Sequence, residues 1–325
     1  MKKIIISGGL GFIGSHIVNK LLNANCIILN IDKENYASRI NFRPKKNYVF
    51  IKLDIRDKKI HSILKKFNPD VVVNCAAESH VDRSIKNPKL FVKNNIEGTL
   101  NLLEATKKLE KKIQFIQIST DEVYGSLPLN KMKFNYKSPY NPQSPYSASK
   151  ASSDHLVRSY GNTYGLNYTI THCTNNFGPY QFPEKFIPVI INSCINKKEI
   201  PIYGNGLNIR DWIYVEDHAA AIKKIIFNNH KNQICLIGAS NEISNVKLAK
   251  KICDIFSEKF GDFEYKKLIK FVDDRKGHDL RYALSNSKFT KNYNWNPKIS
   301  FEKGLIKTVN FYIKNKDNLK KIFRF

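Results

Sequence analysis

Short apolar runs rich in isoleucine and valine recur along the first half of the chain. Longer stretches between them place apolar residues at every third or fourth position. The runs at 3–7, 26–31, 48–53, 70–75, 113–119 and 168–173 have the length and β-branched content of buried strands. The stretches at 12–24, 57–67, 88–111 and 145–165 carry helical periodicity. Asn87-Pro88 and Ser144-Pro145 supply helix starts, because proline suits a first turn where its missing N–H is not needed. Strands alternating with helices predict a parallel sheet covered on both faces. Beyond about residue 175 the pattern loosens, punctuated by Pro179, Pro183, Pro188 and Pro201, with helices near 185–196, 216–228 and 245–260. The predicted division is a larger strand–helix domain over 1–174 and a smaller lobe over 175–325, some segments of which return to the first domain. The Lys-rich C-terminus reads as a solvated helix.

Strand 3–7 runs directly into Gly8-Gly9-Leu10-Gly11-Phe12-Ile13-Gly14. Gly8, Gly11 and Gly14 are spaced as G-x-x-G-x-x-G between a strand and a helix, a variant of the dinucleotide fingerprint. The first permits a tight turn, the second lets backbone approach a pyrophosphate, and the third lets helix and strand pack closely. The next strand ends in Asp32, where a carboxylate accepts hydrogen bonds from ribose hydroxyls and repels a 2′-phosphate, so NAD is expected rather than NADP. Asp54 and Ile55, ending the third strand, are expected beside the adenine. A glycine turn without a ligand is the alternative, and the strand–glycine–helix context together with Asp32 weighs against it. The expected fold class is α/β: a Rossmann-type doubly wound parallel sheet with a smaller C-terminal substrate-binding lobe.

A chain of 325 residues that is 42% hydrophobic and 12% aromatic can bury a sizeable core. No apolar run approaches the ~20 residues of a membrane helix. Met1-Lys2-Lys3 before Ile4-Ile5-Ile6 reads as a first strand rather than a signal peptide, so a soluble, cytoplasmic protein without membrane contact is expected. Cys26, Cys75, Cys173, Cys194, Cys235 and Cys253 are scattered without a C-x-x-C pair; they fit buried free thiols, and no disulfide or metal site is expected. The net charge of +26 would suit nucleic acid. Only nine of the 54 basic residues are arginine, however, and the lysines are spread without a basic block. Solvated lysine faces and no nucleic-acid partner are therefore expected, with a field favourable to a pyrophosphate-bearing ligand as a by-product.

Tyr146 and Lys150 lie four residues apart on the predicted helix 145–165 and so share one face. A free tyrosine titrates near ~10, so holding it ionised at neutral pH costs about 4 kcal/mol. The Lys150 ammonium and the positive nicotinamide would offset this by favouring phenolate. Such a base removes a hydroxyl proton while hydride leaves for NAD. Y-x-x-x-K is common by chance; the upstream glycine fingerprint and a preceding strand ending in Ser119-Thr120 give it weight.

Several segments together carry a resemblance. They are Ala76-Ala77-Glu78-Ser79-His80-Val81-Asp82-Arg83-Ser84, Ser119-Thr120-Asp121-Glu122-Val123-Tyr124-Gly125 and Ser144-Pro145-Tyr146-Ser147-Ala148-Ser149-Lys150. Asn175-Asn176-Phe177-Gly178-Pro179-Tyr180, Phe182-Pro183-Glu184-Lys185 and Arg210-Asp211-Trp212, running on to His218, extend it. Over nearly its full length the chain resembles the extended short-chain dehydrogenase/reductase superfamily, and within it the dTDP-glucose 4,6-dehydratases. Related 4-epimerases and decarboxylases share the glycine fingerprint and the Tyr/Lys pair but generally lack Asp-Glu after the threonine, which makes Asp121-Glu122 the discriminating pair.

The resemblance implies that Thr120, Tyr146 and Lys150 serve the oxidation of C4 of dTDP-glucose. The resulting ketone acidifies the C5 proton; Glu122 would remove it while Asp121 protonates the departing C6 hydroxyl. Hydride then returns to C6, giving dTDP-4-keto-6-deoxyglucose, a deoxysugar precursor of the kind that leads to rhamnose. Like-charge crowding and partial burial would keep one of the two carboxyls protonated, as an acid must be; a solvated pair in a loop is the alternative.

The resemblance also implies that Gly8, Gly11, Phe12, Ile13, Gly14, Asp32, Lys33, Asp54, Ile55, Cys75, Ala76, Ala77, Ser79, Asn94 and Asn176, with Tyr146 and Lys150, line NAD. Ser79, Thr120, Asn175, Lys185, Phe186, Pro201, Ile202, Tyr203, Arg210, Asn245, Arg275 and His278 would hold the nucleotide sugar. A homodimer through 88–111 and 145–165 is implied as well. Arginine suits pyrophosphate through its bidentate fork, although Arg210 or Arg275 could equally serve surface ion pairs and His278 a loop. His80, His155 and His172 have no ligand spacing and read as structural. The chain departs from the family pattern at Ser7 and Asn94, each in place of threonine, and at Asn135-Tyr136 within the divergent loop 126–143.

Two other readings stand beside this one. A sister enzyme could act on UDP-glucose by dehydration, epimerisation or decarboxylation, since thymine and uracil differ by one methyl worth only ~1–3 kcal/mol in a pocket. A non-catalytic NAD- or nucleic-acid-binding module could keep the fold, though it would have no need of four reacting groups.

Overall fold

The structure, a computed structural model, describes residues 1–39, 42, 47–228, 232–261 and 263–323. The first half builds β1 (Lys2–Ser7), α1 (Phe12–Leu21), β2 (Cys26–Asp32), β3 (Tyr48–Lys52), α2 (Lys59–Phe67) and β4 (Val71–Asn74). It continues with α3 (Val81–Lys86), α4 (Pro88–Phe91), α5 (Gly98–Lys107), β5 (Gln114–Thr120), α6 (Pro145–Tyr164) and β6 (Asn167–Cys173). Then follow β7 (Asn175–Phe177), α7 (Phe186–Asn196), β8 (Ile200–Tyr203), β9 (Ile209–Tyr214), α8 (Val215–Phe227) and β10 (Gln233–Ile237). The chain ends with β11 (Glu242–Ser244), α9 (Asn245–Phe260), β12 (Ile269–Val272), α10 (Ser287–Tyr293), α11 (Phe301–Lys314) and α12 (Leu319–Ile322).

Seven parallel strands form the central sheet in the order β10-β6-β5-β4-β1-β2-β3. This is the doubly wound order, reversing between β1 and β4, where a crevice opens beyond the strand ends. The isoleucines and valines of β1 and β4 are buried because helices cover both faces. On one face Ile17, Val18 and Leu21 of α1 meet Ile222, Ile225 and Ile226 of α8, a helix contributed from the second half of the chain. On the other, Leu64 of α2, Leu102 and Leu103 of α5, and Val157 of α6 pack on Ile5, Val72 and Phe115. A second core lies in the lobe, where α7, α9 and α11 bury Ile190, Ile252 and Leu305 around Phe177 and Trp212. A three-stranded sheet, β11-β9-β7, and a pair, β12-β8, complete that lobe.

The expected long helix 88–111 is broken. Between α4 and α5 the chain widens into a π-helical turn, Val92–Glu97. Its buried Asn95 accepts from the Glu78 amide at 2.8 Å and donates to the Glu78 carbonyl at 3.0 Å, holding the segment that enters α3. The C-terminal segment is more than a solvated helix: after α12, Phe323 is fully buried, packs on Phe182 at 5.3 Å and bridges to Arg39. All six cysteines are free, and only Cys75 among them is not fully buried. Among the described residues no cluster of three or more His, Cys, Asp or Glu could hold a metal ion, and no helix is long and apolar enough to cross a membrane.

Gly14 shows why the fold requires glycine in the first turn of α1. A Cβ there would sit 2.1 Å from the Gly8 carbonyl oxygen and 2.9 Å from the Gly9 Cα, both rigid backbone. Gly14→Ala must therefore push α1 away from β1. The expected loss is about 1–3 kcal/mol, as for other overpacked sites, read as a lower urea midpoint; an unchanged midpoint would refute this close approach.

Candidate active site

A cavity of about 530 Å³ runs along the carboxyl ends of the parallel strands, from the Gly8–Gly14 turn to the lobe. At one end, Gly8 adopts φ +73° so that the chain can turn, and its backbone lies so near Ala76 that a Cβ would fall 2.7 Å from the Ala76 amide. α1 then begins at Gly11 with no side-chain cap and no acidic residue in its first turn, so the N–H groups at Phe12, Ile13 and Gly14 face the cavity with the positive end of the helix dipole. An uncapped helix start of this kind receives a pyrophosphate. Asp32, at the tip of β2, is nearly buried and accepts from the Leu10 and Glu34 amides at 3.0 and 2.8 Å. Asp54 and Ile55 line the same end. Lys33 donates to Glu78 at 3.1 Å and to Asn94 at 2.9 Å, so the asparagine that replaces the usual threonine anchors this lysine. The donor-lined groove, the carboxylate at its end and the absence of any Cβ at Gly8 and Gly11 fit NAD.

Deeper in, β4 gives way to Cys75, Ala76 and Ala77, whose backbone follows β1 through the Cys75 amide and the Ser7 carbonyl at 3.0 Å. Asn176 lines the same stretch, its amide oxygen fixed 2.9 Å from His218 Nδ1. α6 starts here with a full capping box: the Ser144 hydroxyl accepts from the Ser147 amide, and the Ser147 hydroxyl from the Ser144 amide. Together with Pro145 in the first turn, this sets the helix register that turns Tyr146 and Lys150 into the cavity. Both are buried, and the Lys150 ammonium donates to the Ile118 carbonyl at 2.7 Å.

β5 ends at Thr120, whose hydroxyl caps a tight turn over Asp121–Tyr124 by accepting from the Glu122 amide at 3.3 Å. Asp121 is 2% exposed, and its Oδ2 has no hydrogen-bond partner. Burial pushes the Asp121 carboxyl well above the usual carboxylate range, and the neighbouring Glu122 and Asp211 push it further. Burial also raises Glu122, but Arg275, Arg210 and Lys185 oppose that rise. Both acids are thus raised, Asp121 further than Glu122, and a difference of that kind is what an acid and a base side by side require. Tyr146 differs from the sequence expectation of a phenol eased toward ionisation. Burial, then Glu122 and Cys173, push it well above 10, and a hydrogen bond from Thr120 eases it down. The ionised form therefore depends on positive charge that a bound nicotinamide would bring.

The lobe closes the far end. Asn175, Phe186 at the start of α7, Pro201 and Tyr203 from β8, and Asn245 at the start of α9 line the cavity. Ile202 does not: alternation along β8 turns it into the lobe core, where it is fully buried. Lys185 donates to the Ser79 carbonyl at 2.7 Å. Arg210 is 5% exposed, lies 4.2 Å over the Tyr282 ring and donates to the carbonyls of Ile209 and Asp279. It is no surface ion-pair residue. Arg275 does have an acidic neighbour, Asp82 at 3.7 Å, and His278 Nδ1 lies 2.6 Å from Asp274.

One set of contacts at the cavity's edge was invisible in the sequence because its residues meet only across the fold. Tyr36 donates to Glu184 at 2.8 Å, Arg83 donates to the same carboxylate at 3.0 Å, and the Arg83 guanidinium lies 3.9 Å over the Tyr36 ring. This clasp joins the loop after β2 to the segment before α7.

Comparison with known proteins agrees with this architecture. The family model for GDP-mannose 4,6 dehydratase matches residues 5–308. The chain is 43% identical to dTDP-glucose 4,6-dehydratase of Neisseria meningitidis serogroup B, over 97% of this chain and 94% of that one. The crystal structure of dTDP-glucose 4,6-dehydratase from Bacillus anthracis in complex with NAD superposes with a TM-score of 0.87 at 38% identity, covering 98% of both chains. A dTDP-glucose 4,6-dehydratase from Streptomyces venezuelae with NAD bound gives 0.88 at 36% identity, over 97% of this chain and 98% of that one. In sequence along nearly its whole length and in fold, the chain belongs to the dTDP-glucose 4,6-dehydratase family.

Proposed function

We propose that this protein converts dTDP-glucose to dTDP-4-keto-6-deoxyglucose with NAD as a retained cofactor, and that the Asp121-Glu122 pair beside Tyr146 and Lys150 carries the reaction. Oxidation alone needs only the tyrosine and lysine; an elimination also needs one group to take a proton and another to give one. NAD, when bound, supplies the acceptor that takes up the C4 hydrogen and gives it back. Tyr146 removes the proton of the C4 hydroxyl, with Thr120 hydrogen-bonded to its phenol. Glu122, facing Arg210, Arg275 and Lys185, removes the C5 proton. Asp121, kept neutral by burial and by Glu122, protonates the C6 hydroxyl so that it leaves as water. Those same three cations suit the diphosphate of the substrate through charge-assisted hydrogen bonds.

The wider reading is of a cytoplasmic enzyme of deoxysugar synthesis, rhamnose among the possible end products. The chain divides functionally into an NAD-binding part over 1–174 and a mainly sugar-nucleotide-binding part over 175–325. A homodimer is proposed through the faces of α5 and α6, where Leu100 and Tyr164 are exposed. The net charge of +26 is read as solubility and attraction for the diphosphate, not as nucleic-acid binding.

Purified protein given dTDP-glucose is expected to release a product lighter by one water, without added NAD, as read by mass spectrometry. Unchanged dTDP-glucose alongside turnover of UDP-glucose would replace this reading with the sister activity. Glu122→Gln is expected to separate the half-reactions: reduced nicotinamide absorbance appears on adding substrate while dehydration falls at least ~100-fold, as on loss of a general base. A variant that dehydrates normally, or shows no such absorbance with substrate bound, would contradict the role given to Glu122.

A further inference from the structure

The face of α6 that presents Tyr146 and Lys150 carries a third ionisable group, Asp154, one turn beyond the lysine. Its side chain is wholly buried, where an unaided carboxylate would take up a proton. Three donors converge on its Oδ2: the Ser119 hydroxyl at 2.7 Å, His172 Nε2 at 3.1 Å and the Tyr140 hydroxyl at 3.4 Å. The Tyr124 hydroxyl lies 2.8 Å from His172 Nδ1. With Tyr124 donating there, Nε2 carries a proton and donates to Asp154. Hydrogen bonds donated to a carboxylate favour its ionised form. Its other oxygen, Oδ1, is buried without a hydrogen-bond partner.

An anion placed there calls for a buried cation, and Lys150 is 4% exposed, while Arg158, one turn further along α6, is exposed. The Lys150 ammonium meanwhile donates to a neutral carbonyl, that of Ile118. We infer that Asp154 is a positioning residue for the oxidation step: receiving its shorter hydrogen bonds from Ser119 and His172, its carboxylate sustains the charge of Lys150 inside the protein. Nothing in the dehydration chemistry itself calls for this network.

Burial draws Lys150 below the usual lysine range, and Asp154 is the foremost influence pushing back, followed by the thiols of Cys75 and Cys173. The groups facing the lysine and its supporting carboxylate are Tyr146 and Arg158 on α6, Ser119 from β5, His172 and Cys173 from β6, Cys75 after β4, and Tyr124 and Tyr140 from the segment before α6. None of these is a second carboxylate. Removing Asp154 must therefore lower the lysine further, so that its ammonium is lost earlier as pH rises.

The inference rests on Tyr146 and Lys150 being the oxidising pair, which wild-type turnover of dTDP-glucose tests separately. Asp154→Asn tests the inference itself. All three donors use one oxygen, so the asparagine carbonyl can receive them while the amide fills the place of Oδ1. In the holoenzyme, the alkaline limb of kcat/KM against pH is expected to move down by about one to three units, the scale of losing an opposite charge nearby. The acid limb and the substrate KM at low pH should stay close to wild type. Tyr140→Phe removes a hydrogen bond of the network but leaves the carboxylate, and its limb should stay in place. Asp154→Ser also removes the charge and is read the same way if Asp154→Asn does not fold. An unmoved alkaline limb in the uncharged variants, whatever their rate, overturns the inference. So does an equal shift in Tyr140→Phe, since that would mark a purely structural network.

Discussion

Two carboxyl groups, Asp121 and Glu122, lie side by side at the end of β5 and largely out of water, and neither could carry charge there unaided. Isolated charge in a protein interior is costly enough that a group titrates instead of remaining ionised. The surrounding structure meets that constraint unequally. It brings Arg210, Arg275 and Lys185 from the lobe to Glu122, whereas Asp121 is opposed chiefly by Arg210 and keeps a buried, unpartnered oxygen beside a second carboxyl. The cost of burying the pair is thereby turned into a difference between them, which is what acid and base roles require.

The same economy governs the rest of the cavity. Tyr146 and Lys150 are buried on one helix face, and that burial works against both the phenolate and the ammonium. The Ser144–Ser147 capping box and Pro145 define the helix start and so the register that places both side chains there. Preorganised groups that are uncomfortable before substrate and cofactor arrive suit a site whose work is done by charge appearing at defined places. The lobe is more than a lid on this arrangement, because it supplies every cation facing Glu122 named above.

Much of the fold was legible in the chain because its strands are apolar and short. The six strands of the first half were placed within a residue or two, since a parallel sheet buried on both faces leaves little choice of residue. β10 was missed: Gln233–Ile237 reads as a strand only once β6 is there to pair with it. The 88–111 stretch kept helical periodicity in sequence, yet Asn95 opens a π-turn to hold the Glu78 backbone, a partner no local pattern announces. At the site, spacing located Tyr146, Lys150 and the glycines, whose roles depend on near neighbours along the chain. The Tyr36–Glu184 clasp, the inward turn of Ile202 and the upward push on the Tyr146 phenol depend on tertiary burial, which sequence spacing does not encode.

In the proposed reaction the redox change is internal to one sugar molecule. The direct measurement is to mix dTDP-glucose carrying deuterium at C4 with dTDP-glucose carrying carbon-13 throughout the hexose, and to analyse the product by mass spectrometry and NMR. Deuterium found at C6 of the carbon-12 product only, with none in the carbon-13 product and none lost to water, is the predicted result. Deuterium released to solvent or to free cofactor, or shared with the carbon-13 product, would contradict it.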